Sequence, residues 1–407
     1  MIRKTLFLCA CLLFLILLIV QPATAVAPLP PRPSPLPPRP AATCDPDGSQ
    51  TSGAIYRLCV PNNWNGDLLV YAHGYVSPTA PIGIPEDQIS IGGNSIIDLV
   101  NLLGYAFATT SYSTNGLAIQ PGLTDIIDLL DIFAAQYGPP NHTYLAGVSE
   151  GGIITALALE HYPDRFDGGL AMCGPYGDFG AQVNYFGDFR VLFDYYFPGL
   201  MPGDPTNIPQ SLIDNWDNHY NSTILPAISD PANAYTTTQL LTTANALYAP
   251  APAITNTATI ERLLWYNVFA TNDAALKLGG QPYSNTHRIY TGSDDDAALN
   301  AGVIRVSGDQ AALDEIAAHY ITTGSLSRPI VTLHTTADPV VPYWHSPLYA
   351  AKIHGPALHD HFAAERYGHC AFTVDEVLAA YGRLLTLTTP QQNYLPIIIS
   401  PPATDRP

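Results

Sequence analysis

The segment Leu145-Ala146-Gly147-Val148-Ser149-Glu150-Gly151-Gly152 carries the pattern Gly-x-Ser-x-Gly. A serine hydroxyl is a poor nucleophile unless a base takes its proton and an acid orients that base, so the pattern gains meaning only with partners elsewhere in the chain. Its immediate setting is favourable. An apolar, β-prone run from His142 to Ala146 precedes it, and a helix-like run from Ile153 to His161 follows. A sharp turn between a strand and a helix holds its serine at strained backbone angles and exposes the side-chain oxygen above the sheet. Gly147 and Gly151 let neighbouring backbone approach such a turn, and Gly152 relieves the first helical turn. The helix also directs its positive end at the reacting centre. In a glycine-rich chain the pattern alone is a weak signal, equally served by a turn with an incidental serine. The strand-then-helix setting favours a nucleophile.

Partners appear downstream. Pro329 to Thr335 reads as a strand that runs out at Ala337-Asp338-Pro339, and His361 to Arg366 reads as a last strand entering Tyr367-Gly368-His369. In parallel sheets chemistry gathers beyond the carboxyl ends of the strands, where Asp338 and His369 both fall. The competing base, His345, lies in a Pro-rich loop between Pro342 and Pro347 with no strand before it. His354, His359 and His361 are loosely spaced, as surface histidines are, and without a tight ligand pattern they predict no zinc site. His334 falls within its strand. Asp294-Asp295-Asp296 lacks the glycine and terminal glutamate of a calcium loop, and reads as a solvated turn. No metal is expected.

The elements that must position these residues follow from the hydrophobic pattern. Strands are expected at Ala54 to Val60, Asp67 to Ala72, Tyr105 to Thr110, His142 to Ala146 and Asp167 to Cys173, with helices at Asn94 to Leu103, Leu123 to Tyr137, from the serine turn to His161, and Thr373 to Leu384. Apolar strands alternating with helices indicate an α/β fold, a parallel sheet covered on both faces. From Gly174 to about Ser327 the pattern breaks. That stretch is too long for a connection, and helix-like pieces at Ser211 to Tyr220, Thr238 to Tyr248, Ile260 to Thr271 and Ala311 to Thr322 give it structure of its own. It reads as a mainly helical cap inserted after the sixth strand. Its first part crowds aromatics (Tyr176, Phe179, Tyr185, Phe186, Phe189, Phe193, Tyr195, Tyr196, Phe197) with Asp178, Asp188, Arg190 and Asp194 between them. Most of the rings belong to a cap core, a few to an acyl or aryl pocket, and the acids offer a place for a substrate amine.

The order Ser149, Asp338, His369, together with the serine turn and His73-Gly74-Tyr75 after an early strand, resembles the α/β-hydrolase fold over Ile55 to Cys173 and Arg328 to Leu384. The resemblance implies a Ser-His-Asp acyl-transfer enzyme without a cofactor. It also implies an oxyanion hole made by the backbone N–H groups of Tyr75 and Glu150, with His73 bracing the loop. Tyr75 stands where lipase-type motifs carry a second glycine. Cleavage of a carboxylic ester, aryl esters and polyesters among them, is the leading expectation. A peptidase of the prolyl-oligopeptidase-like or proline-iminopeptidase-like kind is the alternative, although no propeller-like repeats precede the catalytic part. A non-catalytic binding protein on the same scaffold is the third reading.

Composition sets the address. The chain has 407 residues, 47% hydrophobic and 12% charged, enough for a large core. Met1 to Ala27 combines Arg3 and Lys4, an apolar run from Leu6 to Val20 and a small-residue end, which reads as a secretory signal peptide. Residues 28–43 are Pro-rich and form an extended linker. The hydrolase core is then expected over 44–173 and 328–389, the cap over 174–327, and a C-terminal tail over 390–407. Cys44, Cys59, Cys173 and Cys370 remain after signal removal and suggest two disulfides in an exported protein. Cys44 with Cys59 is the natural local pair, leaving Cys173 with Cys370, though three pairings are formally open. The net charge of -18 excludes nucleic acid and anionic membrane surfaces as natural partners. A small ester, polyester or peptide substrate, and a secreted or cell-surface location without membrane attachment, complete the expectation.

Overall fold

A computed structural model describes residues 44–246, 253–355 and 358–388. The expected signal peptide, the Pro-rich linker and the C-terminal tail lie outside the described residues. No helix among the described residues is long and apolar enough to cross a membrane.

Eight strands form the central sheet: β1 (Gly48–Ser49), β2 (Ile55–Cys59), β3 (Leu68–Ala72), β4 (Ala106–Thr110), β5 (Thr143–Val148), β6 (Gly168–Met172), β7 (Ile330–Ala337) and β8 (His359–Tyr367). Their order across the sheet is β1-β2-β4-β3-β5-β6-β7-β8. The pairings of β1 with β2 and β2 with β4 are antiparallel, and every pairing from β4 to β8 is parallel. The parallel strands are short apolar runs because both of their faces are covered. Alternation sorts their side chains between the two faces. Leu68, Val70, Leu145 and Ala171 face α2 (Ile119–Tyr137) and α3 (Glu150–His161), whereas Leu69, Tyr71, Tyr144, Ala146, Leu170 and Met172 face α1 (Ile96–Leu102) and the last helix, Val374–Thr388.

Between β6 and β7 the chain is helical. Its principal elements are α4 (Phe179–Tyr196), α5 (Ala234–Thr243), α6 (Ala253–Lys277) and α7 (Gln310–His319). Helices α4, α5 and α6 enclose a core of their own, with Phe189, Phe193, Ile224, Leu240, Ile260 and Leu264 fully buried, whereas Ala312 and Ile316 of α7 pack with the core of the sheet. Helix α4 covers the aromatic-rich stretch in which the sequence pattern marks no helix. It is buried on several sides, with Gln182, Tyr185, Asp188, Arg190 and Phe193 all inside, so no clean apolar stripe marks it.

Two helix boundaries differ from expectation for the same reason. Helix α2 begins at Ile119 rather than Leu123, with Pro121 in its first turn. His345 lies not in a loop but at the start of α8 (His345–Lys352), with Pro347 in that helix's first turn and its own side chain fully buried. Proline is tolerated there because the first-turn N–H groups lack intrahelical partners anyway. The closing helix is α9 (Val374–Thr388).

Candidate functional site

Ser149 sits between the end of β5 and the start of α3 with φ 55° and ψ -118°, outside the region that ordinary residues favour. The turn is held from both sides. The Ser149 N–H donates to Met172 O at 2.9 Å, and Gly152 N–H donates to Ser149 O at 2.9 Å. A Cβ on Gly147 would lie 2.0 Å from Gly151 O, and one on Gly151 would lie 2.0 Å from Ala72 O, so both positions require glycine.

Asp338 and His369 converge on this serine from strands β7 and β8. The Ser149 hydroxyl donates to His369 Nε2 at 2.8 Å, and His369 Nδ1 donates to Asp338 Oδ2 at 2.7 Å. Asp338 is fully buried, and its Oδ1 accepts from the N–H groups of Val340 and Val341 at 2.9 and 3.0 Å. Burial by itself would raise this carboxyl, but the His369 and His334 imidazoles outweigh it and hold Asp338 below its ordinary value. The histidine loop is fixed by Thr335, whose hydroxyl donates to Gly368 O at 2.6 Å, and by Gly368 N–H donating to Ala337 O at 3.1 Å.

The loop His73-Gly74-Tyr75 approaches the serine from the end of β3. A Cβ on Gly74 would come 3.0 Å from Ser149 Cβ. The backbone N–H groups of Tyr75 and Glu150 have no acceptor among the described residues. His73 is buried and stacked on Tyr112, its Nδ1 bonded to Gly74 O, and burial lowers its pKa to about 4. It braces this loop as a neutral ring.

Gln88 is a functional candidate that the sequence pattern does not reveal. Its Oε1 accepts from Gly74 N–H at 2.8 Å and its Nε2 donates to Tyr75 O at 3.2 Å, so one side chain clamps both peptides of the loop. It lies in a short 3-10 turn, Glu86–Gln88, tethered in turn by Arg57 to Glu86. A glutamine in a loop carries no local signal for such a role.

Glu150 has a second feature. Glu150 is buried, its Oε1 accepts from Ala118 N–H at 2.8 Å, and its Oε2 has no hydrogen-bond partner among the described residues. Burial pushes its pKa up to about 8, only partly countered by the Ala118 N–H and by Lys277. At neutral pH it is mainly the neutral acid.

Two cavities meet at Ser149. The larger, about 350 Å³, runs between the sheet face and helices α1 and α9, and includes Tyr71, Val148, Met172, Leu99, Val377 and the His369 ring in its wall. The smaller, about 100 Å³, lies under α4 and α6 and includes Glu150, Phe179, Phe186, Tyr266 and Ala270. Both walls are predominantly apolar.

The structure links Cys44 with Cys59 and Cys173 with Cys370. Cys370 Sγ lies 3.5 Å from His369 Nε2, so the second disulfide ties the histidine loop to the end of β6. With both sulfurs in a disulfide, the cluster of Cys173, His369 and Cys370 offers no thiolate to a metal.

The chain has the α/β-hydrolase fold. This rests on the strand order, the antiparallel β2 and the serine turn after β5. No family model matches the chain, and no curated protein matches it. Solved structures similar to it include an esterase from Aspergillus oryzae, at 14% identity over 79% of this chain and 71% of that one, TM-score 0.47. Alpha/beta hydrolase domain-containing protein 10 from mouse is 12% identical over 86% of this chain and 100% of that one, TM-score 0.41. An acylaminoacyl peptidase in complex with a chloromethyl ketone is 12% identical over 81% of this chain but 37% of that one, TM-score 0.39.

The remaining candidates are placed away from the serine. His345 Nδ1 accepts from Gly177 and Asp178 N–H at 3.2 Å, and its Nε2 donates to Gln182 Oε1 at 2.9 Å, so it is spent on packing α8 against α4. His359 and His361 are not surface histidines: both are half-buried and share the Thr332 hydroxyl at 2.9 Å. His354 is exposed, and His334 is fully buried in β7. The acids of the aromatic stretch are engaged by partners within the helical segment. Asp178 caps α4, Asp188 accepts from Tyr283 and Tyr290, and Asp194 pairs with Arg190. None of them is among the residues that form the walls of these two cavities. Asp295 caps a short helix, and Asp296 bonds to Ser293.

Proposed function

We propose that this chain is a serine hydrolase that cleaves carboxylic esters through an acyl-enzyme on Ser149. The observation that carries the reading is the unbroken hydrogen-bond chain from Ser149 through His369 to Asp338, at 2.8 and 2.7 Å, ending on a serine held at φ 55°.

In the first half-reaction the Ser149 hydroxyl oxygen attacks the ester carbonyl carbon while His369 Nε2 takes its proton. Asp338 keeps the Nδ1 proton in place and stabilises the imidazolium. The oxyanion forms against the free N–H groups of Tyr75 and Glu150, beside the positive end of α3. His369 then protonates the departing alkoxide. Water, deprotonated by the same imidazole, attacks the acyl-enzyme, and the acid leaves as Ser149 recovers its proton.

Ester rather than peptide cleavage is supported by the apolar walls of both cavities and by the engagement of the aromatic-stretch acids elsewhere. The helical segment between β6 and β7 acts as the cap, a role supported by Tyr266 of α6, which borders both cavities. Export is part of the proposal, supported by the two disulfides. An organophosphonate should label Ser149, which separates an enzyme from a binding scaffold. Parallel assays with nitrophenyl esters and aminoacyl anilides test the bond cleaved: turnover of the anilides alone overturns the ester reading.

A further inference from the structure

The two cavities at Ser149 differ in size and, more usefully, in which catalytic group they touch. His369 is in the wall of the larger cavity and not of the smaller. In acyl transfer at a serine the imidazole that took the serine proton must deliver it to the leaving oxygen, so the leaving group has to lie on the histidine side. The acyl substituent points elsewhere. Glu150 follows the nucleophile and borders only the smaller cavity, while Tyr75, which supplies the other proposed oxyanion donor, borders both. The carbonyl oxygen therefore sits where the two spaces meet.

Size then sorts the substrate. The larger cavity, about 350 Å³, falls within the range of roughly 300–1,000 Å³ typical of pockets that take a whole small-molecule ligand. It penetrates beneath the serine between strand residues Leu69, Tyr71 and Ala146 and helix residues Leu99 and Val377. The smaller space, about 100 Å³, is bordered by Phe179 and Phe186 of α4, Ala270 of α6 and Val340 after β7.

From this partition we infer that the substrate is an ester of a short acyl group, of acetyl to butyryl size, with a bulky apolar alcohol. The inference rests on the serine hydrolase reading and goes beyond it by assigning which side of the ester bond is large. In the step it describes, Ser149 Oγ bonds to the short acyl carbon and the carbon–oxygen bond to the alcohol breaks. The alcohol oxygen receives the proton from His369 Nε2 within the larger cavity, and water then releases the short acid.

Decyl acetate and ethyl decanoate test this directly, because they are isomers of matched hydrophobicity that differ only in which side of the carbonyl carries the long chain. With the full chain, disulfides intact, kcat/KM is expected to favour decyl acetate by about tenfold or more, since each methylene that fits or fails to fit an apolar pocket is worth roughly that factor. Equal rates, or a preference for ethyl decanoate, overturn the assignment. Labelling of Ser149 by a small phosphonate is measured alongside. Turnover of neither ester with Ser149 labelled also overturns the assignment, whereas turnover of neither without labelling overturns the serine hydrolase reading itself. Ala270→Leu, which narrows the smaller cavity, is expected to raise the ratio of acetate to butyrate turnover for a common alcohol, and no change in that ratio counts against the acyl side being there.

Discussion

Replacing Glu150 with glutamine should make the protein more stable, and the gain should grow with pH. The buried carboxyl is raised from its ordinary 4.5 to about 8 by desolvation. Below pH 4.5 both the folded and unfolded chains carry its proton, and the group costs nothing electrostatically. Between 4.5 and 8 the unfolded chain releases the proton while the folded one keeps it, so wild-type stability falls as pH rises. At about 1.4 kcal/mol per pH unit the interval is worth up to roughly 5 kcal/mol. Glutamine removes the titration but keeps an oxygen to accept from Ala118 N–H, now made at 2.8 Å. Urea unfolding of the wild type and Glu150→Gln at pH 5 and pH 8, with disulfides intact, reads the difference. The variant's advantage should widen by about 2 to 4 kcal/mol between the two pH values, taking the lower end if water relaxes around the carboxylate. An advantage that is constant with pH, or a variant that loses stability faster than the wild type as pH rises, would refute the reasoning.

Ser149→Ala should abolish ester turnover, and Asp338→Asn should lower kcat by about 10⁴-fold by releasing the His369 tautomer, with folding judged by unchanged circular dichroism. Gln88→Leu removes both bonds to the Gly74–Tyr75 loop. It should lower kcat by about tenfold to a hundredfold, less than outright loss of an oxyanion donor, while KM changes little; a change confined to KM would argue against a positioning role. Reduction of Cys173–Cys370 should slow turnover at reductant concentrations that leave the fold intact, because the bond secures the histidine loop rather than the sheet. Coincident loss of activity and fold in one titration would contradict this.

The candidate site is legible in the sequence because it is punctuated locally. Gly147, Gly151 and the strand-to-helix switch mark the serine turn, while Pro339 and Gly368 mark the strand ends that carry Asp338 and His369. The first part of the segment between β6 and β7 is harder to read because α4 presents no apolar stripe. Helix α4 buries Asp188 and Arg190 along with its aromatics, and α6 runs through residues of modest helix propensity such as Asn267, Thr271 and Asn272. His345 escapes a sequence reading because proline looks like a breaker, yet Pro347 falls in a helix's first turn, where it is accepted. The half-burial of His359 and His361 depends on Thr332 in the neighbouring strand, a partner remote in sequence. Gln88 and the two cavities belong to the same class: they exist only once separate elements meet.

Strands β6 and β7 are hydrogen-bonded neighbours, with Gly169 opposite Ile330. The long helical excursion between them thus leaves the sheet and returns to it through adjacent doors, and nothing in the length of the detour has to be matched by the framework. Met172 O holds the serine turn on one side of the gap, and Asp338 holds the His369 ring on the other. For the proposed hydrolase, such an arrangement lets the helical segment be rebuilt, by nature or by an engineer, while the strands beneath keep their places, and makes this segment the place to graft new selectivity.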